Sequence, residues 1–417
     1  MVIVVAAGFR CFTQRLISCC EREKLTNLAI LHEKHDEISR FNRDLTSSRR
    51  IPIALHGEAK AYGGNQSSGN RVFFSPTTTN TNDMKNPTKV GVAGLGMMGQ
   101  MHLSCYGANP RAQVVGVYSR NAANLGERKR VEGNIANSQN FDLSGMLATA
   151  DFEDLLRNPD IDLIDICLPT RQHAGATIAA LNAGKHVICE KPLAWDEAEC
   201  DQIIEAQRKS GKFLLIGHCL RFWPQYVRAS EILASGELGA PLYARFDRSS
   251  GAPIWSRWLM DGEQSGGVVL DMHVHDIDTA LWWFGTPQNV RANGVIRDGL
   301  PLKVDATWRY ENGPLVQIHG GWDRGALPFR MAFEVMCEGG TIVWDSTRGE
   351  TLSVFRGADE EKHDFDGTMG YAPQIDYFLS CIERNEAPKR ATPEQSRESV
   401  KWAREELRQM CAATPTD

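Results

Sequence analysis

The chain has 417 residues, a hydrophobic content of 42%, a charged content of 24% and a formal net charge of −6. This length favours two or three domains, and the slight acidic excess gives nucleic acid no basic surface to bind. No run approaches ~18 consecutive apolar residues, so we expect no membrane partner. The 11 cysteines include no C-x-x-C pair, which argues against a disulfide framework and favours a reduced, cytoplasmic setting.

Residues 1–86 differ in composition from the rest of the chain. After a short apolar start they become polar, and residues 61–86 are rich in Gly, Asn, Ser and Thr. We expect a flexible or mis-annotated extension here, because there is little apolar periodicity to bury. Arg10 follows the apolar start at once and no basic stretch precedes it, so secretion is not expected. A chain that begins at Met84 is predicted to fold with an unchanged melting temperature.

The motif KVGVAGLGMMG at residues 89–99 has the form of a strand that turns directly into a helix. In such a turn Gly94 permits the tight bend, Gly96 lets the backbone approach a pyrophosphate, and Gly99 lets the helix pack against its strand. The start of the helix offers unpaired N–H groups and its positive dipole end to phosphates. The motif therefore predicts a dinucleotide site.

The sequence around this motif strengthens the prediction, since a lone G-x-G-x-x-G is a weak signal. A helix-compatible run follows at residues 97–106 and a second apolar strand at 113–118, which completes a βαβ unit of about ~30 residues. Met97 and Met98 begin the helix, so we count both among the cofactor contacts.

Strands and helices then alternate regularly, which implies a doubly wound parallel sheet over residues 87–218. The predicted segments are strands at 89–93, 113–118, 161–168, 185–189 and 212–217 and helices at 152–157, 170–182 and 197–209. A second α+β domain with a largely antiparallel sheet is expected over 219–390, followed by a C-terminal helix and tail at 391–417. Its predicted strands are 242–246, 290–295, 304–310, 315–320, 331–337, 341–345 and 351–355, with a helix near 276–283.

Two further motifs accompany the glycine fingerprint: GKHVICEKP at residues 184–192 and GGVVLDMHVHDID at 266–278. In this order the three motifs resemble those of the glucose-fructose oxidoreductase and inositol dehydrogenase (Gfo/Idh/MocA) family, over roughly residues 88–411. The resemblance implies a Rossmann domain followed by an open-sheet domain. It also implies NAD(P)-dependent oxidation or reduction of sugars, cyclitols and related polyols, in a homodimer or homotetramer formed through the exposed face of the second sheet.

The Glu-Lys-Pro segment offers a candidate catalytic lysine. Lys191 directly follows a predicted parallel strand, at the sheet edge where doubly wound folds bind ligands. Pro192 fixes the turn, and a cis bond there would aim the lysine. A surface lysine at a strand end is the alternative, which the two accompanying motifs disfavour. Glu190 is counted with Lys191 among the cofactor contacts.

Asp271 and His275 are four residues apart, so on a helical turn they share a face. A carboxylate beside an imidazole would orient the ring and raise its pKa, as a base near neutrality requires. The alternative is a helix-capping aspartate with an ordinary histidine nearby, and from the residues alone the two stand about even. The resemblance implies that His275 is the base, Asp271 holds its ring, and Lys191 stabilises the charge on the reacting substrate oxygen.

Other polar groups lie near these motifs. The set His273, His275, Asp276 and Asp278 resembles a metal site, and on a strand H-x-H would place both imidazoles on one side. The family resemblance implies that this segment is the entry to a helix, where the side chains diverge, so no metal is predicted. Cys189 is interpreted as a buried strand thiol rather than a reactive one.

Several residues are candidate ligand contacts. Thr170 and His173 follow a predicted strand and are expected near the nicotinamide ribose, although His173 is equally consistent with a plain helix start. Arg221 is expected to bind substrate. Four tryptophans either line a sugar site or, as we favour, pack in the core: Trp255, Trp258, Trp308 and Trp322.

The end of the second strand bears on the cofactor. Ser119 and Arg120 stand about ~20 residues beyond the fingerprint, where an acid would bind the ribose 2′-hydroxyl of NAD. No acid is there, and Arg120 pairing with a 2′-phosphate while Ser119 donates to it predicts NADP over NAD. The alternative is that Arg120 stacks on the adenine, which serves either cofactor.

The predicted activity is hydride transfer between a nicotinamide cofactor and a substrate carbinol carbon. An NAD-dependent glycosidase of the same family, which consumes no net cofactor, is the nearest alternative. A non-catalytic dinucleotide sensor would have no need of the Lys191, Asp271 and His275 set, and a purely structural protein would leave the fingerprint without a purpose.

Overall fold

The computed structural model describes residues 86–120, 143 and 145–413. The predicted extension therefore lies outside the described residues, except for residue 86, and stays a prediction. The first sheet has six strands: β1 Thr88–Ala93, β2 Ala112–Tyr118, β3 Leu147–Thr149, β4 Leu163–Ile166, β5 His186–Cys189 and β6 Leu214–Ile216. Among the described residues, four helices accompany these strands: α1 Met97–Gly107, α2 Phe152–Arg157, α3 His173–Asn182 and α4 Glu197–Ser210.

This sheet has the order β3-β2-β1-β4-β5-β6, and each pairing is parallel. The predicted α/β fold with a doubly wound sheet is confirmed. The order reverses between β1 and β4, which is where such sheets open a crevice at their carboxyl ends. All four residues of β4 are buried, because helices cover both faces of a parallel sheet.

Local signals set several of the element ends. Asp196 accepts a hydrogen bond from the backbone N–H of Glu199 and begins α4, while Gly211 ends it in the left-handed region at φ 65°. The predicted helix over residues 170–182 begins instead as a 3₁₀ turn, Thr170–Gln172, before α3. The short strand β3 was not predicted, since three residues carry too little pattern to recognise.

The second sheet has eight strands, in the order β14-β13-β12-β11-β7-β10-β9-β8. Only β7 and β10 run parallel; the other neighbours are antiparallel, as predicted for a mostly antiparallel sheet. The strands are β7 Pro241–Gly251, β8 Asn289–Arg297, β9 Leu300–Arg309, β10 Leu315–Asp323, β11 Arg330–Cys337, β12 Gly340–Asp345, β13 Leu352–Arg356 and β14 Asp359–His363. The strongly acidic β14, DEEKH, was not predicted.

The two faces of the second sheet differ. Phe246, Ile318 and Val335 point into the core, whereas the outer face carries exposed Arg245 and Glu334 among exposed apolar side chains. The expectation that copies of this chain associate through this face stays a prediction. The period-2 alternation of these strands places polar side chains on the outer face.

Five helices complete the described chain: α5 Pro224–Ser235, α6 Gly262–Ser265, α7 Val274–Phe284, α8 Tyr371–Arg384 and α9 Pro393–Ala413. A π-helical turn, Val269–His273, leads into α7. Helix α8, which the sequence assigns to the second domain, packs Ile375 and Phe378 into the core of the first sheet. No helix among the described residues combines the length and the apolar character needed to cross a lipid bilayer.

Candidate active site

A cavity lies at the carboxyl ends of the central strands of the first sheet. Its walls include the fingerprint turn, the segment after β5 and the π-helical turn that leads into α7. The predicted residues that line it are Gly94, Gly96, Met97, Met98, Ser119, Arg120, Thr170, Glu190, Lys191, Asp271 and His275. Three separate motifs thus meet in one cavity.

The three glycines of the fingerprint have distinct surroundings. Gly94 has φ +107°, and a Cβ there would lie 2.3 Å from the carbonyl oxygen of Cys167. A Cβ on Gly99 would lie 1.9 Å from the carbonyl oxygen of Gly94, so Gly99 sits behind the turn as a packing residue. A Cβ on Gly96 would meet no atom within 4 Å. Gly96 therefore leaves open space beside the helix start, as a bound pyrophosphate requires.

Lys191 and Asp271 form the polar centre of the cavity. Lys191 Nζ lies 3.1 Å from Asp271 Oδ1 and 2.5 Å from the Asp271 backbone oxygen. The Lys191–Pro192 peptide bond is cis. Asp271 lies in the π-helical turn, an irregularity that is frequent at functional sites. The pair holds the sheet edge of the first domain against the helix entry of the second.

His275 begins the first turn of α7 and faces the same cavity. Its Nδ1 is buried without a hydrogen-bond partner in the described chain. Burial, with the nearby cations Lys191 and Arg248 and then His218, holds the pKa of His275 well below its usual value. The ring is therefore neutral near pH 7 and has a free lone pair to accept a proton.

The expectation that Asp271 raises the pKa of His275 is wrong in this structure. The Asp271 carboxylate pairs with the Lys191 ammonium, so its charge is directed to Lys191 and not to the ring. The groups that shift the pKa of His275 are burial and positive charges, and each of them lowers it.

His173 does not have the position predicted for a ribose contact. Its ring is buried, with Nδ1 2.7 Å from the carbonyl oxygen of Pro192 and Nε2 2.7 Å from that of Leu168. Burial outweighs both carbonyls and lowers the pKa of His173. The ring connects the backbone after β4 to the backbone after β5, so it shapes the cavity wall from behind.

The prediction for Arg221 also needs correction. It is buried, and its Nε and Nη2 donate to the two carboxylate oxygens of Asp278 at 2.7 and 3.0 Å. Ser399 of α9 donates to the same carboxylate. Through this pairing the Arg221 guanidinium links the 3₁₀ turn after β6 to α7 and α9. It is not the predicted substrate contact.

The four residues of the DMHVHDID segment that resemble a metal site do not converge on one point. His273 Nε2 lies 2.7 Å from Glu406, and Asp276 and Asp278 pair with Arg248 and Arg221. The helix entry directs the side chains to different partners, as expected. Cys189 is buried, which raises the pKa of its thiol and keeps it inert.

Three of the four tryptophans line the cavity: Trp255, Trp258 and Trp322. Trp322 is also buried in the core of the second sheet, so the core packing favoured from sequence is contradicted for Trp255 and Trp258. Trp308 is a core residue and donates from Nε1 to Glu406 at 2.6 Å. Arg248 and Tyr371 also line the cavity, and neither was predicted from the sequence. Arg248 stands inside a strand and Tyr371 begins a helix, positions without a local signal that separates a ligand contact from a core residue.

The residues present fit a dinucleotide. The open space at Gly96, the unpaired N–H groups that begin α1 and the cationic Arg120 at the end of β2 lie along one cavity wall. Lys191 and His275 stand on the part of the wall formed where the two sheets meet.

Comparison with known proteins gives two matching family models. Residues 88–218 match the model described as "Oxidoreductase family, NAD-binding Rossmann fold" and residues 226–343 match the "GFO/IDH/MocA C-terminal domain". Myo-inositol 2-dehydrogenase of Thermotoga maritima is 29% identical over 272 residues, 63% of this chain and 77% of that protein. D-xylose 1-dehydrogenase (NADP(+)) 2 of Haloferax volcanii is 27% identical over 257 residues, 58% and 76% of the two chains.

The fold also matches a solved structure, levoglucosan dehydrogenase in complex with NADH and levoglucosan. The TM-score is 0.69 at 20% identity, and the match covers 79% of this chain and 98% of that one. At this identity the likeness concerns the fold.

Proposed function

Because this chain belongs to the Gfo/Idh/MocA oxidoreductase family, we propose that it transfers a hydride between a nicotinamide cofactor and a carbinol carbon of a sugar, cyclitol or related polyol. The observation that carries the proposal is the meeting of Lys191, Asp271 and His275 in the cavity that the glycine fingerprint lines. The relatives named as inositol and xylose dehydrogenases support this substrate class.

A cofactor bound along the fingerprint wall would accept or supply the hydride at its nicotinamide ring, which is the chemistry that the protein itself lacks. Gly94, Gly96 and the start of α1 would hold the pyrophosphate. Met97, Met98 and Thr170 border the same wall.

His275 would remove the proton from the substrate hydroxyl during oxidation. A hydroxyl near pH 7 gives up its proton reluctantly, so a positioned base is required. His275 is neutral in the folded chain, and a neutral imidazole is the state that accepts a proton. In the reducing direction the protonated ring returns this proton to the oxygen.

Lys191 would stabilise the negative charge that develops on the same oxygen. Its ammonium has three N–H donors, and Asp271 takes two of them through the carboxylate and the backbone oxygen. One N–H remains for a substrate oxygen, and Asp271 fixes its direction. We therefore assign Asp271 to the orientation of Lys191 rather than to the tuning of His275.

The cavity wall supports a hydroxyl-rich ligand. Trp255, Trp258 and Trp322 offer flat apolar surfaces on which the C–H face of a sugar ring packs, while Lys191 and Arg248 offer donors to its hydroxyl groups.

We further propose NADP over NAD as the preferred cofactor, on the position of Arg120 and Ser119 at the end of β2. Association into a homodimer or homotetramer also stays a proposal, to be tested by light scattering at micromolar concentration. A scattering mass equal to that of one chain would contradict it.

A panel of sugars, cyclitols and polyols incubated with NAD⁺ and with NADP⁺ tests the function, with absorbance of the reduced nicotinamide as the readout. We expect stoichiometric cofactor reduction with at least one panel member. Cleavage of a glycoside without net cofactor reduction would favour the glycosidase, and tight cofactor binding without turnover of any panel member would favour a sensor.

A further inference from the structure

A buried cluster of titratable groups, which the proposed proton transfer does not use, lies directly behind Glu190. His102, from α1, stands at its centre. His102 Nδ1 lies 2.8 Å from Asp165 Oδ2, and His102 Nε2 lies 3.2 Å from Glu190 Oε1. The second contact is an ion pair rather than an aligned hydrogen bond. His102 and Asp165 are fully buried, and Glu190 is 5% exposed.

Asp165 has more donors than Glu190. One of its oxygens also accepts from the Tyr106 hydroxyl at 2.8 Å, and the other from the Cys167 thiol at 3.5 Å. Burial, then Asp165, raises the pKa of Tyr106, and the same two causes raise that of Cys167. Both groups therefore stay neutral and keep donating.

His102 is held in its charged form. Burial opposes the imidazolium, but the charge of Asp165, the neighbouring Cys167 and the hydrogen bonds to both together outweigh it, and the pKa of His102 is raised well above its ordinary value. Asp165, Cys167 and Glu190 face the ring from the strand side, and the Tyr371 ring of α8 stands with its centroid 6.4 Å away. The ring therefore has a carboxylate beside each nitrogen, with a hydrogen bond to Asp165 and a charge contact to Glu190.

The distances within this cluster argue against a metal centre. His102, Asp165 and Cys167 bring three ligand atoms within 4.8 Å of one another. Ligand atoms held tetrahedrally at ~2.0–2.2 Å from zinc would stand about 3.4 Å apart. The 2.8 Å between His102 Nδ1 and Asp165 Oδ2 is instead the distance of a charge-assisted hydrogen bond.

The charged groups of this cluster carry a net negative charge at the cavity wall. Two carboxylates and one imidazolium leave one negative charge, and Lys191 is already paired with Asp271. Glu190 is the member of the cluster that lines the cavity, and its Oε2 accepts from the backbone N–H of Lys191 at 3.2 Å. Negative charge is thereby fixed next to the residue that serves the reacting centre.

This inference rests on the proposed function. We propose that Glu190, held in place by His102, is a counter-charge that makes the site bind the oxidised nicotinamide cofactor more tightly relative to the reduced one. The oxidised ring carries a positive charge that the reduced ring lacks, and a carboxylate in a poorly hydrated wall attracts only the former. His102 is a positioning residue in this scheme, because it acts through Glu190.

The first test is Glu190→Gln, which keeps the shape and removes the charge. Dissociation constants of the oxidised and reduced forms of one cofactor are measured on the purified full chain without substrate, by calorimetry and by nicotinamide fluorescence. We expect the oxidised form to bind at least about tenfold more weakly and the reduced form to change by less than about threefold. A tenfold change in the ratio raises the potential of the bound two-electron couple by ~30 mV.

Two companion variants make this result specific. Glu190→Asp keeps the charge and should retain much of the preference for the oxidised form. Glu205→Gln removes an exposed carboxylate of α4 and should leave both constants unchanged. An equal loss of both forms in Glu190→Gln would overturn the inference, because it would show a contact without charge selectivity.

The second test is His102→Asn, in which Glu190 loses the buried ring that it contacts. Asp165 still has Tyr106 and Cys167 as donors, so the variant keeps the rest of the buried network. We expect the variant to lose part of the preference for the oxidised cofactor, because Glu190 is no longer held at the cavity wall. A merely structural role would weaken both forms equally, and that result would overturn the assignment of His102.

The outcomes separate this inference from the proposed function. If the wild-type chain binds neither form of NAD or NADP, the proposed function fails with it. If the wild type binds both forms and Glu190→Gln leaves their ratio unchanged, the inference alone fails. Should Glu190→Gln not fold, as judged by its melting transition, the ratio of the two dissociation constants in His102→Asn decides the matter.

Discussion

Lys191 Nζ lies 2.5 Å from the backbone oxygen of Asp271 and 3.1 Å from its carboxylate, across 80 positions of sequence. The side chains are mostly buried, with 13% of Lys191 and 24% of Asp271 exposed, so the pair is little screened by solvent. It joins the sheet edge after β5 to the π-helical turn before α7. The site is therefore complete only when both sheets are docked.

The first prediction concerns the proposed base. His275→Ala should lower kcat by ~10²- to 10⁴-fold, the range for loss of a positioned proton-transfer group, with cofactor affinity nearly intact. His319→Ala is the matched control, since His319 pairs with Asp305 on the outer face of the second sheet and should retain full activity. A His275→Ala variant that keeps more than about a tenth of wild-type kcat would transfer the role of base to Lys191.

The second prediction concerns the Lys191–Asp271 pair. Lys191→Ala should reduce kcat at least as strongly as His275→Ala, because it removes the charge aimed at the reacting oxygen. Asp271→Asn should also reduce kcat, since it releases Lys191 from its orientation. In the double variant the losses should not add, because the residues act as a unit. Kinetics of the two single variants and the double variant measure this, and strict additivity would show that the pair has no shared function.

The third prediction is the pH response of His275. Its pKa lies well below 6.5 in the folded chain because of burial, Lys191 and Arg248. The unfolded chain therefore binds a proton near pH 6.5 that the folded chain refuses, and the stability that this histidine contributes is lost as pH falls through that value. For the same reason the acid limb of kcat/KM should lie below pH 6.5.

Nuclear magnetic resonance of the imidazole in the cofactor-free protein measures this pKa, with His275→Ala to assign the signal. Lys191→Met removes a cation and should raise the pKa of His275 toward 6.5. Lys209→Met, which removes an exposed lysine paired with Glu205, should not change it. A pKa of His275 at or above 6.5 in the wild type would refute the electrostatic description.

Sequence pattern was sufficient for the order of the longer strands, because the parallel strands are apolar runs and the antiparallel strands alternate with period 2. It missed the short strand β3 and the acidic strand β14. It was insufficient where the position of an element depends on tertiary contacts. Tyr371 and the rest of α8 follow the second sheet along the chain, yet the apolar face of α8 packs into the core of the first sheet. No local feature of the sequence specifies which sheet receives a helix.

The candidate site shows the same division. Glycine chemistry and strand ends located Gly94, Gly96 and Lys191, since backbone conformation and sheet edges are readable from short motifs. The partners of charged groups cannot be predicted from such short motifs. The sequence spacing predicted that Asp271 pairs with His275. In the structure Asp271 pairs with Lys191, because the nearest strong partner lies 80 residues away along the chain, after β5.

The fourth prediction uses the glycines of the fingerprint. Gly96 has φ −70° and ψ −170°, values that alanine adopts freely, and a Cβ there would enter open space. Gly96→Ala should therefore keep the wild-type melting temperature but weaken cofactor binding by at least about tenfold, ~1.4 kcal/mol, because the methyl group occupies the approach of the pyrophosphate.

Two variants of the same helix serve as comparison. Gly99→Ala would bring a Cβ to 1.9 Å from the Gly94 oxygen and should lower the free energy of unfolding by about 1–3 kcal/mol, as overpacking does. Gly107→Ala meets no atom within 4 Å and should be neutral or slightly stabilising. Thermal melts and cofactor titrations separate the three outcomes. Unchanged cofactor affinity in Gly96→Ala would place the pyrophosphate elsewhere.

The fifth prediction concerns the choice between NADP and NAD. Arg120 is exposed at the cavity rim, directly after the buried Ser119. A charge-assisted hydrogen bond to a 2′-phosphate is worth about 1.5–3 kcal/mol, so Arg120→Ala should weaken NADPH by at least about tenfold and leave NADH within about threefold. Arg157→Ala removes an exposed arginine of α2 paired with Asp151 and should change neither affinity. Titration of both reduced cofactors by nicotinamide fluorescence gives the answer. If Arg120 instead stacks on the adenine, both affinities fall together, and tighter binding of NADH than of NADPH by the wild type would exclude the NADP preference.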